Sequence, residues 1–381
     1  MDFKLSEEKL ALQDSVRKFA QEELLPGVIE RDDKCEFCVE GYKKMGQMGL
    51  IGLPYPEEFG GQGSDYLSYA IAVEEISKVD ASTGIAFSVS TSLYAGGVAA
   101  SAVMPNEKKK EMLENVLTGK SFGAFSLTEP NAGSDVSGGQ TTAVQDGDNW
   151  ILNGQKIFCT NGPLADYFVV YANGDMSLGA KGMCAFVVQK GTPGLTVGRI
   201  EDKMGIRSAQ VAEINIENVV VPAENMVAAV GKGFGLAMKS LDGGRIGVAA
   251  QGLGIAEGAF EIAKEYLKTR VQFGKPLYKN QYISFKMAEL AMEIESAKYM
   301  LYKAALDKDN GEPYSVSAAK AKYLCSTAAM HVTTEAVQLL GGNGYMKGYH
   351  VERMMRDAKI TQIYEGTSEI QKMIIGGSLF A

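Results

Sequence analysis

Histidine is nearly missing from this chain of 381 residues, with only His331 and His350 present. Multi-histidine metal centres and most Ser-His-Asp arrangements have little material to work with, and no metal is expected. Cysteine is scarce and odd in number: Cys35, Cys38, Cys159, Cys184 and Cys325 read as reduced thiols of a cytoplasmic protein, not as a disulfide framework. Cys35 and Cys38 form a CxxC, but there is no second pair for zinc and no βαβ pattern around them. An excess of basic charge is missing too. The balance of 38 basic against 46 acidic residues, net −8, argues against nucleic acid as a partner. Residues 1–8 are acidic and lack the basic start and apolar core of a signal peptide. Charge is absent from residues 81–106, a stretch long enough to span a bilayer. Ser82, Thr83, Ser88, Ser90, Thr91, Ser92 and several glycines dilute it, so a helix buried in a globular core and lining a cavity is expected, with no membrane span. No Gly-x-Gly-x-x-Gly follows a predicted strand, so a Rossmann-type nucleotide site has no support.

What is present divides the chain by period. The length exceeds that of a usual single domain and predicts two or three units. From Ser6, a candidate N-cap, apolar residues recur at Leu12, Val16 and Phe19 as one helical face. Helical segments continue to about Gly119. Strand-like runs then occupy 141–144, 150–152, 167–171, 185–188 and 212–221, with hairpin turns expected at Asp146-Gly147 and Asn153-Gly154. Helical period returns over 234–270, 281–308 and 315–340, lengths that favour an antiparallel bundle. The expected fold class is α+β: helical domain 1–119, antiparallel β domain 120–231, and a helical bundle, 232–381.

Two stretches carry chemistry. Residues 356–370 set Glu365 between Tyr364 and Gly366 behind apolar residues, which suits a carboxylate in a partly dry pocket where desolvation raises its basicity. A solvated charge at a helix start is the plainer reading of an isolated Tyr-Glu-Gly-Thr. In the β section, Phe122 to Asp135 joins a strand to a loop of small polar residues fit to meet a polar ligand. Some twenty residues on, alternation puts Phe158 and Thr160 on one strand face, an aromatic surface beside a hydroxyl that suits a planar heteroaromatic group. Core packing is the plainer reading of Phe158 alone.

Taken together, the separated motifs Leu127-Thr128-Glu129-Pro130, Gly133-Ser134-Asp135, Leu241-Asp242-Gly243-Gly244-Arg245, Arg270 to Leu277, Gln338 to Tyr345 and the Glu365 segment resemble the acyl-CoA dehydrogenases over essentially the whole chain. The nearest likeness is to short-chain butyryl-CoA dehydrogenases and caffeoyl-CoA reductases of anaerobic bacteria. The resemblance implies a three-part fold ending in a four-helix bundle, non-covalent FAD, and interconversion of acyl-CoA and trans-2-enoyl-CoA with an electron-transfer flavoprotein as partner. It implies Glu365 as the base that takes the α proton. Phe125, Leu127, Thr128, Phe158 and Thr160 would lie at the flavin, and Thr367 and Glu369 near the adenosine end. Arg270, Gln272, Phe273, Gln281, Gln338 and Gly342 would hold a neighbouring subunit's FAD in a homo-oligomer, as a tetramer. Ser134, Asp242, Arg245, Tyr364 and Gly366 would meet the CoA ester, Ser134 at the pantetheine and Asp242 and Arg245 farther out. Small residues at Ala95-Gly96-Gly97 and Gly243-Gly244 suggest room for an aryl-propenoyl group. An acyl-CoA oxidase would share the motifs, generally on a longer chain. A non-catalytic CoA- or flavin-binding protein is opposed by Glu365, Thr160 and Arg245, and a nicotinamide-linked reductase by the missing glycine fingerprint.

Overall fold

The structure, a computed structural model, describes residues 4–380. Helices come first: α1 (Glu7–Phe19), α2 (Val28–Lys34), α3 (Val39–Gln47), α4 (Tyr66–Ser77), α5 (Ala81–Ser88), α6 (Gly96–Ala99) and α7 (Asn106–Leu117). Ser6 caps α1 by accepting from the Lys9 N–H at 3.3 Å, and the predicted face buries Val16 and Phe19. The charge-free stretch is a buried helix, as its serines and threonines imply, but it does not run to Asn106. A π-helical turn, Val89–Ala95, joins α5 to α6, and the helix stops at Ala99. Beyond the stop, Ser101 Oγ accepts from the N–H groups of Val103 and Met104, and Pro105 starts α7. No helix among the described residues is long and apolar enough to cross a membrane.

The middle of the chain forms one sheet of β1 (Gly123–Ser126), β2 (Thr142–Asp146), β3 (Asn149–Thr160), β4 (Tyr167–Asn173), β5 (Met183–Gln189), β6 (Leu195–Ile200), β7 (Val211–Pro222) and β8 (Met226–Ala228). Its path is β6-β7-β3-β2-β4-β5-β8, with β1 paired to β4. The pairs are antiparallel except at β4, which β1 and a single residue pair of β2 meet in parallel. The turn at Asp146-Gly147 is where it was expected, with Gly147 at φ +59°. Asn153-Gly154 is not a turn. It lies inside β3 at a bulge, because Gly154 leaves room for the Thr141 side chain and Asn153 Oδ1 accepts from the Asn218 N–H across it.

The C-terminal part packs α8 (Gly233–Thr269), α9 (Gln281–Asp309) and α10 (Ser315–Leu340) with α11 (Val351–Ile360) and α12 (Ser368–Leu379). A two-stranded turn, β9 (Val271–Gln272) and β10 (Lys275–Pro276), links α8 to α9. Glycine lets α8 approach its neighbours closely: a Cβ at Gly254 or Gly258 would strike the backbone of Glu74 or Lys78. The three long helices pack together, with α11 against α8 and α10 and α12 against α10. The bundle sits against α4 and α5, so one core runs from the N-terminal helices into it.

Candidate active site

The loop between α11 and α12 has an unusual backbone. Glu365 stands at φ +51° and Gly366 at φ +96°. A non-glycine residue at positive φ is uncommon and persists when its surroundings fix it. Here they do. The Tyr364 hydroxyl donates to Gln251 Oε1 on α8, and the Gly366 carbonyl accepts from Lys322 Nζ of α10 at 2.5 Å and Gln371 Nε2 of α12 at 2.8 Å. Thr367 Oγ1 caps α12 through the Ile370 N–H.

The twist turns the Glu365 side chain inward, onto α8 at Gly244. An added Cβ there would overlap the carboxylate and come within 2.7 Å of Leu93 Cδ2. Both carboxylate oxygens are buried and neither has a hydrogen-bond partner among the described residues. Burial pushes the Glu365 carboxyl up to about 7, with the nearby cations Lys322 and Arg245 pulling the other way. Burial likewise lowers Lys322 to about 8, against the attraction of Glu365. Arg245, 5 % exposed, pairs with Asp242, whose Oδ1 also accepts from Ser315 Oγ at 3.0 Å. One helical turn past Gly244, Gly247 lies under the hydroxyls of Ser88 and Tyr69, which bond to each other at 2.8 Å. The space around Gly243 and Gly244 is therefore filled: Gly243 faces Lys308 and Tyr66, Gly244 the carboxylate. Gly97 is looser, its nearest neighbour being Ser240 Oγ at 3.5 Å from an added Cβ.

A second surface is built by β1, β3 and the loop between β1 and β2. Glu129 organises that loop by accepting from the Gln140 N–H at 2.5 Å, the Thr141 N–H at 3.1 Å and buried Lys156 Nζ at 2.6 Å. Lys156 also donates to the Leu127 carbonyl, and the Ile157 N–H to that of Thr128 at 2.9 Å, which holds the two segments side by side. A bulge in β3 puts Phe158 at φ +54° and leaves it 61 % exposed, while Cys159 turns inward and Thr160 is half-buried. Phe125, Leu127 and Thr128 are half-buried beside it, and Ser134 is exposed on the loop.

The remaining expected ligands gather at one end of the bundle. The Leu277 N–H donates to the Arg270 carbonyl at 2.9 Å, Asn343 Nδ2 to the Tyr266 hydroxyl at 2.9 Å, and Lys286 pairs with Glu335. These ties bring together the segments of Arg270, Gln272, Phe273, Gln281, Gln338 and Gly342, all of them exposed, Phe273 by 97 %.

This constellation can be compared with known proteins. Family models for the N-terminal, middle and C-terminal domains of acyl-CoA dehydrogenase match residues 6–120, 124–219 and 231–380. The chain belongs to the acyl-CoA dehydrogenase family. It is an oxidoreductase acting on CH–CH bonds, and its cofactor is FAD. Among its relatives, a short-chain specific acyl-CoA dehydrogenase of Clostridium acetobutylicum is 51 % identical over 380 residues, 100 % of both chains. The solved butyryl-CoA dehydrogenase of Megasphaera elsdenii superposes with a TM-score of 0.97 at 49 % identity, covering 100 % of both chains. A chain from the structural study of the electron-transferring flavoprotein of Acidaminococcus fermentans, concerned with flavin-based electron bifurcation, gives 0.98 at 49 % identity, with 100 % and 99 % covered.

The residues present fit a flavin: an aromatic ring held outward on a fixed backbone, with the half-buried hydroxyl-bearing Thr128 and Thr160 nearby. Tyr364 and Gly366 spend their polar groups within the chain, holding the Glu365 loop. Arg245 faces Glu365 from a buried position. Glu369 is exposed. Lys322, Gln251 and Gln371 are additions that the motifs did not supply. Lys322 had a signal: with Ala318, Ala321, Cys325 and Ala329 it falls on the apolar stripe of α10, where a lysine is out of place.

Proposed function

We propose that the chain is a short-chain acyl-CoA dehydrogenase in which Glu365 takes the proton from the carbon α to the thioester. The observation that carries this reading is the Glu365 carboxylate, desolvated, unpartnered and raised to about 7, close to the pH at which a general base works best. FAD supplies the acceptor for the hydride that leaves the β carbon. The chain itself holds the base in its twisted loop and keeps water from the carboxylate. It also offers the backbone N–H of Glu365 as a donor to the thioester oxygen, on which charge builds as the proton leaves. In reverse, protonated Glu365 returns the proton to an enoyl-CoA. Phe125, Leu127, Thr128, Phe158 and Thr160 would face the flavin, Ser134 the pantetheine arm, and Asp242 and Arg245 the ester.

A short acyl group follows from what stands beyond Gly244. Gln251, fully buried two turns along α8, donates to the Ala81 carbonyl at 2.8 Å and accepts from Tyr364, bridging α5, α8 and the loop. With Tyr69 and Ser88 under Gly247, this bridge closes the space that a longer chain needs. We therefore expect kcat/KM to peak at butyryl-CoA in an acyl-CoA panel, and Gln251→Ala to raise the hexanoyl- to butyryl-CoA ratio about tenfold, the effect of relieving ~1–3 kcal/mol of overpacking. The looser space at Gly97 favours the aryl-propenoyl reading. A caffeoyl-CoA turnover at or above that of crotonyl-CoA, assayed as reduction with reduced electron-transfer flavoprotein, would replace the short-chain assignment.

The electron partner proposed is an electron-transfer flavoprotein, supported by the likeness to the chain from the Acidaminococcus study. The assembly proposed is a homo-oligomer, a tetramer. Exposed Phe285, Met292 and Leu306 recur along α9 at multiples of seven residues, an apolar face for a second helix, and the group around Arg270 is exposed at one end of the bundle. Arg270→Ala should weaken FAD binding and the oligomer together. Equal FAD retention by wild type and variant during dilution, followed by flavin fluorescence and light scattering, would remove that arginine from the cofactor site.

A further inference from the structure

The chain buries a lysine where a carboxylate needs it. Lys322 is fully buried and, among the described residues, has no carboxylate within salt-bridge distance and makes one hydrogen bond, to the carbonyl of Gly366. That carbonyl belongs to the residue after the proposed base, so the ammonium group is tied to the loop it supports. An ion buried without a close counter-charge is costly, and a fold retains one where it serves another group. We propose that Lys322 is a positioning residue for catalysis, fixing the twisted Glu365-Gly366 backbone and directing its charge at the Glu365 carboxylate so that the base is ionised when substrate arrives.

Charges facing this pair come from every side. Arg245 approaches from α8, but Asp242 sits on its guanidinium and offsets much of its field at Glu365. Tyr69 from α4 and Tyr364 from the loop bring neutral hydroxyls, and Glu369 lies near Lys322 from the start of α12, exposed to solvent. Lys322 is thus the cation near Glu365 whose charge no carboxylate contacts. Gln371 donates to the same carbonyl without any charge, which separates the two parts of the role.

The proposal rests on Glu365 being the base, and one experiment tests both. Stopped-flow reduction of the FAD holoenzyme by butyryl-CoA is followed from about pH 5.5 to 9 in wild type and five variants. Wild type should rise with pH through a midpoint near 7, where Glu365 loses its proton. Lys322→Met and Lys322→Gln should move the midpoint up by about one unit and cut the rate at neutral pH about fivefold, with recovery at high pH. Lys322→Arg should keep the midpoint, and Gln371→Leu should lose rate with the midpoint unmoved. Lys322→Gln leaves the Gly366 carbonyl a donor and carries the test if the Met variant does not fold; failure of both to bind FAD would overturn a role confined to the site. An unmoved midpoint in either neutral variant with normal FAD content also overturns the proposal, while leaving the base in place. Normal reduction by Glu365→Gln would instead remove the base, and this proposal with it.

Discussion

Glu365→Gln should bind FAD and CoA esters as the wild type does and lose at least ~10²-fold in flavin reduction. The amide has the size and shape of the carboxylate but cannot accept a proton from carbon. Because both oxygens of Glu365 lack partners among the described residues, the exchange breaks no hydrogen bond there and thermal stability should not fall. It should even rise slightly above neutral pH. The carboxyl is raised from its ordinary value to about 7, so ionising it costs folding free energy as pH climbs past the unfolded value, a cost the amide lacks. Loss of flavin colour on purification, or a fall in Tm, would mean that the carboxylate holds structure and not a reaction.

Gly244→Ala should be nearly as damaging without touching any polar group. The added methyl would fall on the Glu365 carboxylate and within 2.7 Å of Leu93 Cδ2, so either the base moves off its position or α8 shifts. Overpacking of this kind costs ~1–3 kcal/mol, a factor of about 10 to 100 in rate if it falls on the transition state. Gly243→Ala is the control. Its methyl would meet the Lys308 amine at 2.9 Å and the Tyr66 hydroxyl at 3.1 Å, and the lysine end is flexible enough to yield. Flavin reduction by butyryl-CoA should therefore fall at least tenfold in the first variant and stay within about threefold in the second. Equal loss in both would show that α8 tolerates no side chain on this face, whatever the base is doing.

Period and composition determined the order of this protein by themselves. Helical spacing from Ser6 onward, alternation through the middle and the long helical returns reflect which faces must be buried, and burial is written locally along the chain. The motifs around Thr128, Phe158, Arg245 and Glu365 are likewise local, which is why the family resemblance is legible in the sequence. Pairing was not local. That β1 lies parallel to β4, and that Asn153-Gly154 is a bulge within β3 and not a turn, depend on which distant strand offers its edge.

The environment of Glu365 was decided only by the tertiary structure. Its neighbours come from α4, the π-helical turn Val89–Ala95, α8 and α10, far apart along the chain. No spacing rule could have placed Lys322 and Gln371 on one carbonyl, Gln251 on Tyr364, or Gly244 against the carboxylate. Sequence named the acid because its identity is a property of one residue. Its basicity is a property of the space around it, and that space exists only once the helices have packed.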